Sequence, residues 1–137
     1  MEFKLLPLPL FLERIKAGFP SPAEGYLDQN LDLNQYLIEN PPATFFLKVE
    51  GDSMIEAGIH SNDILVVDRS LKPQSGKIVI ASVDGELTVK RLYLSADKRT
   101  VELRPENANY KIIKLNESNE LDIWGVVTAV VRKIRDK

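Results

Sequence analysis

Ser53, in the run Gly51-Asp52-Ser53-Met54, is the first residue whose setting suits covalent chemistry. The run follows Thr44–Val49, which reads as a strand, and a glycine lets the backbone turn sharply where a strand ends. A serine at such a corner presents its hydroxyl and its own N–H to solvent. That is the geometry of a nucleophile beside an oxyanion hole. Met54–Ala57 could open a short helix with its N-terminus toward that hydroxyl. Taken alone this signal is weak, and a serine whose side chain merely caps the turn is the simpler reading.

Lys90 is the candidate base. It lies after Asp84-Gly85, in a segment whose alternation puts Glu86, Thr88, Lys90 and Leu92 on one face and Leu87, Val89 and Arg91 on the other. A general base near neutral pH requires its pKa to fall by about 3 to 4 units, which disfavours the charge by about 4 to 5 kcal/mol. Burial among apolar groups or a positive neighbour supplies such a shift. Without that pocket, Lys90 is a solvated strand lysine.

Ala17-Gly18 is the third candidate. Two small side chains precede the proline-bearing stretch Phe19-Pro20-Ser21-Pro22, so a scissile carbonyl there could approach a nucleophile closely. The same pair could serve as a flexible joint. His60, seven residues after Ser53, is the only imidazole. It allows a Ser–His–acid triad to be conceived, although a surface-loop histidine is the simpler reading. There is no Gly-rich phosphate loop, no metal-ligand cluster and no GxSxG elbow.

Composition narrows the field. The 137 residues contain no cysteine, which removes thiol nucleophiles, disulfides and thiolate metal sites and fits a reducing cytosol. A net charge of −2 argues against sequence-independent nucleic-acid binding. The basic end Arg132–Lys137 reads as a solvated tail. The apolar start, Phe3 to Leu12, is too short to span a membrane and is broken by Pro7 and Pro9. It also lacks the basic start of a signal peptide.

The elements that must position these residues are mostly strands. Residues 1–30 read as an arm, because Pro7, Pro9, Pro20 and Pro22 forbid regular helix around them. Phe11–Lys16 has room for one helical turn. Asp32–Ile38 reads as a short helix capped by Asp32, with Gln35 answering three residues on. Residues 31–137 form the expected main domain. Seven segments there are rich in β-branched and aromatic residues: Thr44–Val49, Ile64–Asp68, Lys77–Val83, Glu86–Leu94, Thr100–Arg104, Tyr110–Leu115 and Ile123–Arg132. Asp84-Gly85 is the strongest hairpin signal, since it suits a type I′ turn. The expected class is mostly β, barrel-like or a folded sheet.

Read together, the segments resemble the LexA/UmuD family of self-cleaving Ser–Lys proteases over nearly the whole chain. Val49–Ile59 followed by Asp63–Asp68 is similar to the family's serine segment, Gly85–Leu92 to its lysine segment, and Ala17–Ala23 to its cleavage site, in the same order and at matching separations. Leu31–Gln35 adds to the likeness, which is greatest to the accessory subunits of translesion DNA polymerases.

The resemblance implies strongly bent antiparallel sheets with an extended N-terminal arm, and a dimerising protease domain over residues 31–137. It implies a cut at Ala17–Gly18, with Ser53 as nucleophile, Lys90 as base and the backbone N–H groups of Asp52 and Ser53 as oxyanion donors. It implies a cytoplasmic protein of the SOS response to DNA damage, with no metal or cofactor. The expected partners are a RecA filament on single-stranded DNA, a second copy in a homodimer and a UmuC-type polymerase subunit. With 17 residues ahead of the cut, a helix-turn-helix domain and operator binding are not expected. Asn62 stands where family members often have Gly, and Asn tolerates the left-handed conformation. Lys77 and Ile112 depart from the pattern without touching the dyad.

Overall fold

A computed structural model of the chain describes residues 4–11, 14–19 and 27–134. Two compact units result, residues 1–39 and 40–137. In the first, β1 (Leu8–Phe11) pairs antiparallel with β2 (Leu27–Leu31). Pro9 is tolerated because a two-stranded ribbon has only edge strands. Phe11, expected at the start of a helical turn, instead ends β1, and residues 14–16 are not helical. Strand pairing satisfies several backbone groups at once, whereas one isolated turn satisfies one. The helix α1 (Leu33–Leu37) forms where Asp32 predicts it, with that carboxylate accepting from Asn34 N at 3.0 Å and Gln35 N at 3.2 Å. Asp32 also accepts from Leu6 N at 2.6 Å. These backbone donors, Leu6 first, hold its pKa below the usual aspartate value.

The second unit is one seven-stranded antiparallel sheet. In chain order its strands are β3 (Thr44–Lys48), β4 (Ile64–Asp68), β5 (Ile78–Val83), β6 (Glu86–Leu94), β7 (Val101–Arg104), β8 (Ile113–Leu115) and β9 (Leu121–Val131). Their spatial order is β3-β4-β9-β5-β6-β7-β8. Each expected strand segment contains or overlaps one of these. Asp84 (φ 49°) and Gly85 (φ 88°) both take positive φ at the β5–β6 hairpin, as a type I′ turn demands.

Strand β9 changes partner along its length. Its first half pairs with β5 and its second half with β4, with register shifts at Ile80/Ala81 and Val66/Val67. Two apolar clusters result. Val49, Met54, Ile59, Leu65, Val67 and Ile80 form one, while Val79, Ala81, Leu92, Leu103, Leu115 and Val126 form the other. Central β5 supplies Ile80 to the first and Val79 and Ala81 to the second, so it is buried on both faces.

Gly125 lies on β9 where its pairing passes from β5 to β4. A Cβ there would sit 2.6 Å from Val67 Cγ1 and 3.1 Å from the Asp68 carbonyl oxygen. Gly125→Ala is therefore expected to destabilise the fold by about 1–3 kcal/mol through overpacking. A urea unfolding midpoint measures this directly, and an unchanged midpoint contradicts the close approach.

Candidate active site

Ser53 occupies the corner that its neighbours dictate. Gly51 adopts φ +99°, a conformation closed to most side chains, and turns the chain out of β3. Met54 and Ile59 are then buried in the first apolar cluster, which pins the segment on both sides of a single 3₁₀ turn, Ile55–Ala57. That turn ends at Gly58 with φ +84°. The expected helix thus shrinks to three residues and brings little dipole to the serine. Asn62 adopts φ 77°, the left-handed conformation expected of it.

Lys90 reaches Ser53 from β6. Its Nζ lies 3.2 Å from Ser53 Oγ, 2.7 Å from Thr88 Oγ1 and 3.2 Å from the Val89 carbonyl oxygen. The residue is only 8% exposed, and its strand partner Val79 is fully buried. Among the described residues no carboxylate forms a salt bridge with it. Burial therefore pushes the amine below the ordinary lysine value. A neutral amine has two N–H bonds and one lone pair. If Thr88 and Val89 accept the two N–H bonds, the lone pair is left for the Ser53 hydroxyl. Thr88 stands two residues before Lys90 on the same face of β6, as alternation predicts, but no local feature of the sequence marks it as a partner of the amine.

This arrangement carries a stability consequence. Between the depressed value in the folded chain and the ordinary 10.5, the unfolded chain binds more protons, so stability rises with pH across that window and levels off above it. Lys90→Met removes the penalty. The variant is expected to be at least as stable as the parent at pH 7, and to lose the rise between pH 7 and pH 10. Urea midpoints at the two pH values test it, and an equal rise in both proteins contradicts a buried amine.

The pair opens onto a cleft of about 450 Å³. Leu47, Leu65, Ile80 and Leu87 give it apolar walls, and Asp52 and Tyr110 stand with Ser53 and Lys90 among its lining groups. Tyr110 Oη donates to Asp52 Oδ1 at 2.6 Å, which pushes the phenol above its ordinary pKa. Tyr110 is 58 residues from Asp52, and no local signal pointed to it. His60 is exposed and outside the cleft lining, with its backbone N–H donating to Asp63 at 2.7 Å. Ala17 and Gly18 lie in an exposed bend, and the following Pro20–Ala23 falls outside the described residues. Among the described residues no cluster of potential metal ligands occurs, and no helix is long and apolar enough to cross a membrane.

Comparison with known proteins gives this geometry its context. The Peptidase S24-like family model matches residues 9–128. The chain belongs to the Peptidase S24-like family. It is 53% identical to Protein SamA of Salmonella typhimurium over 127 residues, covering 93% of this chain and 86% of that protein. It is 50% identical to Protein ImpA of Escherichia coli over 128 residues, with the same coverage of each. A LexA repressor from Magnetococcus marinus is 41% identical over 128 residues, which are 93% of this chain and 53% of the repressor. As a Peptidase S24 member of the UmuD-like kind, the chain is a self-cleaving serine peptidase with an accessory role in SOS mutagenesis. The mostly β, antiparallel architecture agrees with the LexA-type fold.

Proposed function

We propose that Ser53 and Lys90 are the catalytic dyad and that the bond they cut is the chain's own Ala17–Gly18. The observation that carries this reading is the 3.2 Å approach of a buried Lys90 amine to the Ser53 hydroxyl. Neutral Lys90 takes the hydroxyl proton as Oγ attacks the Ala17 carbonyl carbon. The backbone N–H groups of Asp52 and Ser53 hold the oxyanion. Lys90, now an ammonium, returns the proton to the departing Gly18 nitrogen. A water molecule, deprotonated by Lys90, then hydrolyses the ester on Ser53.

In this reading residues 1–30 are the arm that carries the scissile bond, and residues 31–137 are the protease and dimerisation domain. A RecA filament on single-stranded DNA stimulates the cut in the cytoplasm by favouring the cleavage-competent arm position. The trimmed form, Gly18–Lys137, pairs as a homodimer and joins a UmuC-type polymerase subunit. Incubation with RecA, single-stranded DNA and nucleotide should yield a product beginning at Gly18. An unchanged chain under every condition contradicts the proposal and favours a non-catalytic binding module.

A further inference from the structure

We propose that Tyr110 is a positioning residue of this active site, acting through Asp52 to hold the Asp52–Ser53 peptide in the orientation that receives the oxyanion. The inference rests on the dyad reading above and extends it to residues that neither supply nor accept the transferred proton.

The Asp52 carbonyl and the Ser53 N–H belong to one trans peptide, so they point in opposite directions in one plane. Fixing the oxygen therefore aims the N–H. That oxygen accepts from Ile55 N at 3.1 Å and from Asn107 Nδ2 at 2.9 Å. The next carbonyl, that of Ser53, accepts from Glu106 N at 2.8 Å, and Glu56 N donates back to the Glu106 carbonyl at 2.9 Å. Residues 106–110 thus form a strap across the serine corner. Such a strap has a purpose here, because Gly51 immediately before the corner is the residue least able to restrain it.

Tyr110 closes the strap at the cleft mouth. Its hydroxyl donates to the Asp52 carboxylate, and its backbone N–H donates to the Asn107 carbonyl at 3.1 Å. With 45% of the residue exposed, Tyr110 is not a core anchor. What its hydroxyl provides is the bond to Asp52. The strap is also tied to the base: Arg91, adjacent to Lys90, forms an ion pair with Glu106. One loop therefore sets the relation between the strand that holds the amine and the corner that holds the hydroxyl.

The test compares first-order self-cleavage rates of the full chain across pH for Tyr110→Phe, Asp52→Ala, Asp52→Asn and the Tyr110→Phe/Asp52→Ala double variant. Tyr110→Phe removes one oxygen and is expected to slow the plateau rate about tenfold, the usual worth of one hydrogen bond. The pH midpoint set by Lys90 should stay in place. The double variant should be no slower than the slower single one, and Asp52→Asn, which keeps an acceptor, should lose less than Asp52→Ala. Labelling of Ser53 by a small fluorophosphonate, which needs the oxyanion donors but not the arm, should fall in parallel.

A Tyr110→Phe rate within twofold of the parent overturns the inference. So do losses that multiply in the double variant, or unaltered fluorophosphonate labelling. A parent chain that releases no Gly18 product sinks the dyad reading itself, an outcome plainly different from a parent that cleaves and a Tyr110→Phe variant that cleaves equally well.

Discussion

Ser53→Ala is expected to slow release of the Gly18 product by about 10³-fold or more, and Lys90→Met by a comparable factor. The two effects arise differently. Alanine removes the attacking oxygen, so no acyl-enzyme can form. Methionine keeps the length and packing of the lysine stem while removing the nitrogen that lies 3.2 Å from Ser53 Oγ. General-base assistance alone is worth about 10²–10⁴-fold. Because hydroxyl and amine act in one step, the double variant should be no slower than either single one. The readout is the first-order appearance of a Gly18 N-terminus by mass spectrometry. Lys90→Met should remain folded throughout, since it exchanges a poorly solvated amine for an apolar side chain. Cleavage within tenfold of the parent in either variant contradicts the dyad.

The largest stability effect is expected away from the dyad. Asp63→Ala should destabilise the chain by about 2–4 kcal/mol, towards the range seen when one partner of a buried ion pair is removed. Asp63 is only 1% exposed, and its carboxylate receives Arg132 Nε at 2.6 Å, Arg132 Nη2 at 2.8 Å and the His60 N–H at 2.7 Å. The Arg132 side chain is 44% exposed and can turn to water when its partner is lost, which keeps the expected value below that of a fully buried pair. The same guanidinium donates to the Gly58 carbonyl at 2.8 Å, while Val49 N donates to the Asp63 carbonyl at 2.8 Å. The pair therefore joins the end of β9 to the loop that follows the serine corner.

Arg132, ahead of the other donors, holds the Asp63 pKa below its ordinary 3.8. This stabilisation is complete above the unfolded value and is lost as pH falls through the lower folded one. Asp63→Ala should accordingly be less sensitive to acid than the parent. A shift in unfolding free energy below 0.5 kcal/mol places Asp63 with ordinary surface residues instead.

Periodicity made most of the β unit legible. Ile64–Asp68 and Glu86–Leu94 coincide with β4 and β6, because alternation and β-branching are local properties that the sheet merely uses. Asp84-Gly85 was readable for the same reason, since a turn type is decided by two residues. The pairing of β1 with β2 was not. Pro7 and Pro9 correctly exclude helix, but whether an extended segment finds a partner depends on residues about twenty positions away. The site divides along the same line. Gly51 announces the corner at Ser53, whereas the burial that depresses Lys90 comes from the folded sheet around it. The strap from Glu106 to Tyr110 is invisible locally, because a tyrosine becomes a partner of Asp52 only once the sheet has folded. Family resemblance supplied an expectation that periodicity could not, that Lys90 would stand beside Ser53, and the fold places the two 3.2 Å apart; the Ala17–Gly18 bond is the target that the proposal adds.

The most direct measurement is an NMR titration of the Lys90 side-chain amine in the full chain carrying Ser53→Ala, which prevents cleavage during the experiment. A midpoint clearly under 10.5, matching the pH at which the parent chain's cutting rate is half its plateau, is what an unprotonated amine poised beside a hydroxyl requires. A midpoint at the value of a free lysine, or one unrelated to the rate profile, means that this amine is not the base.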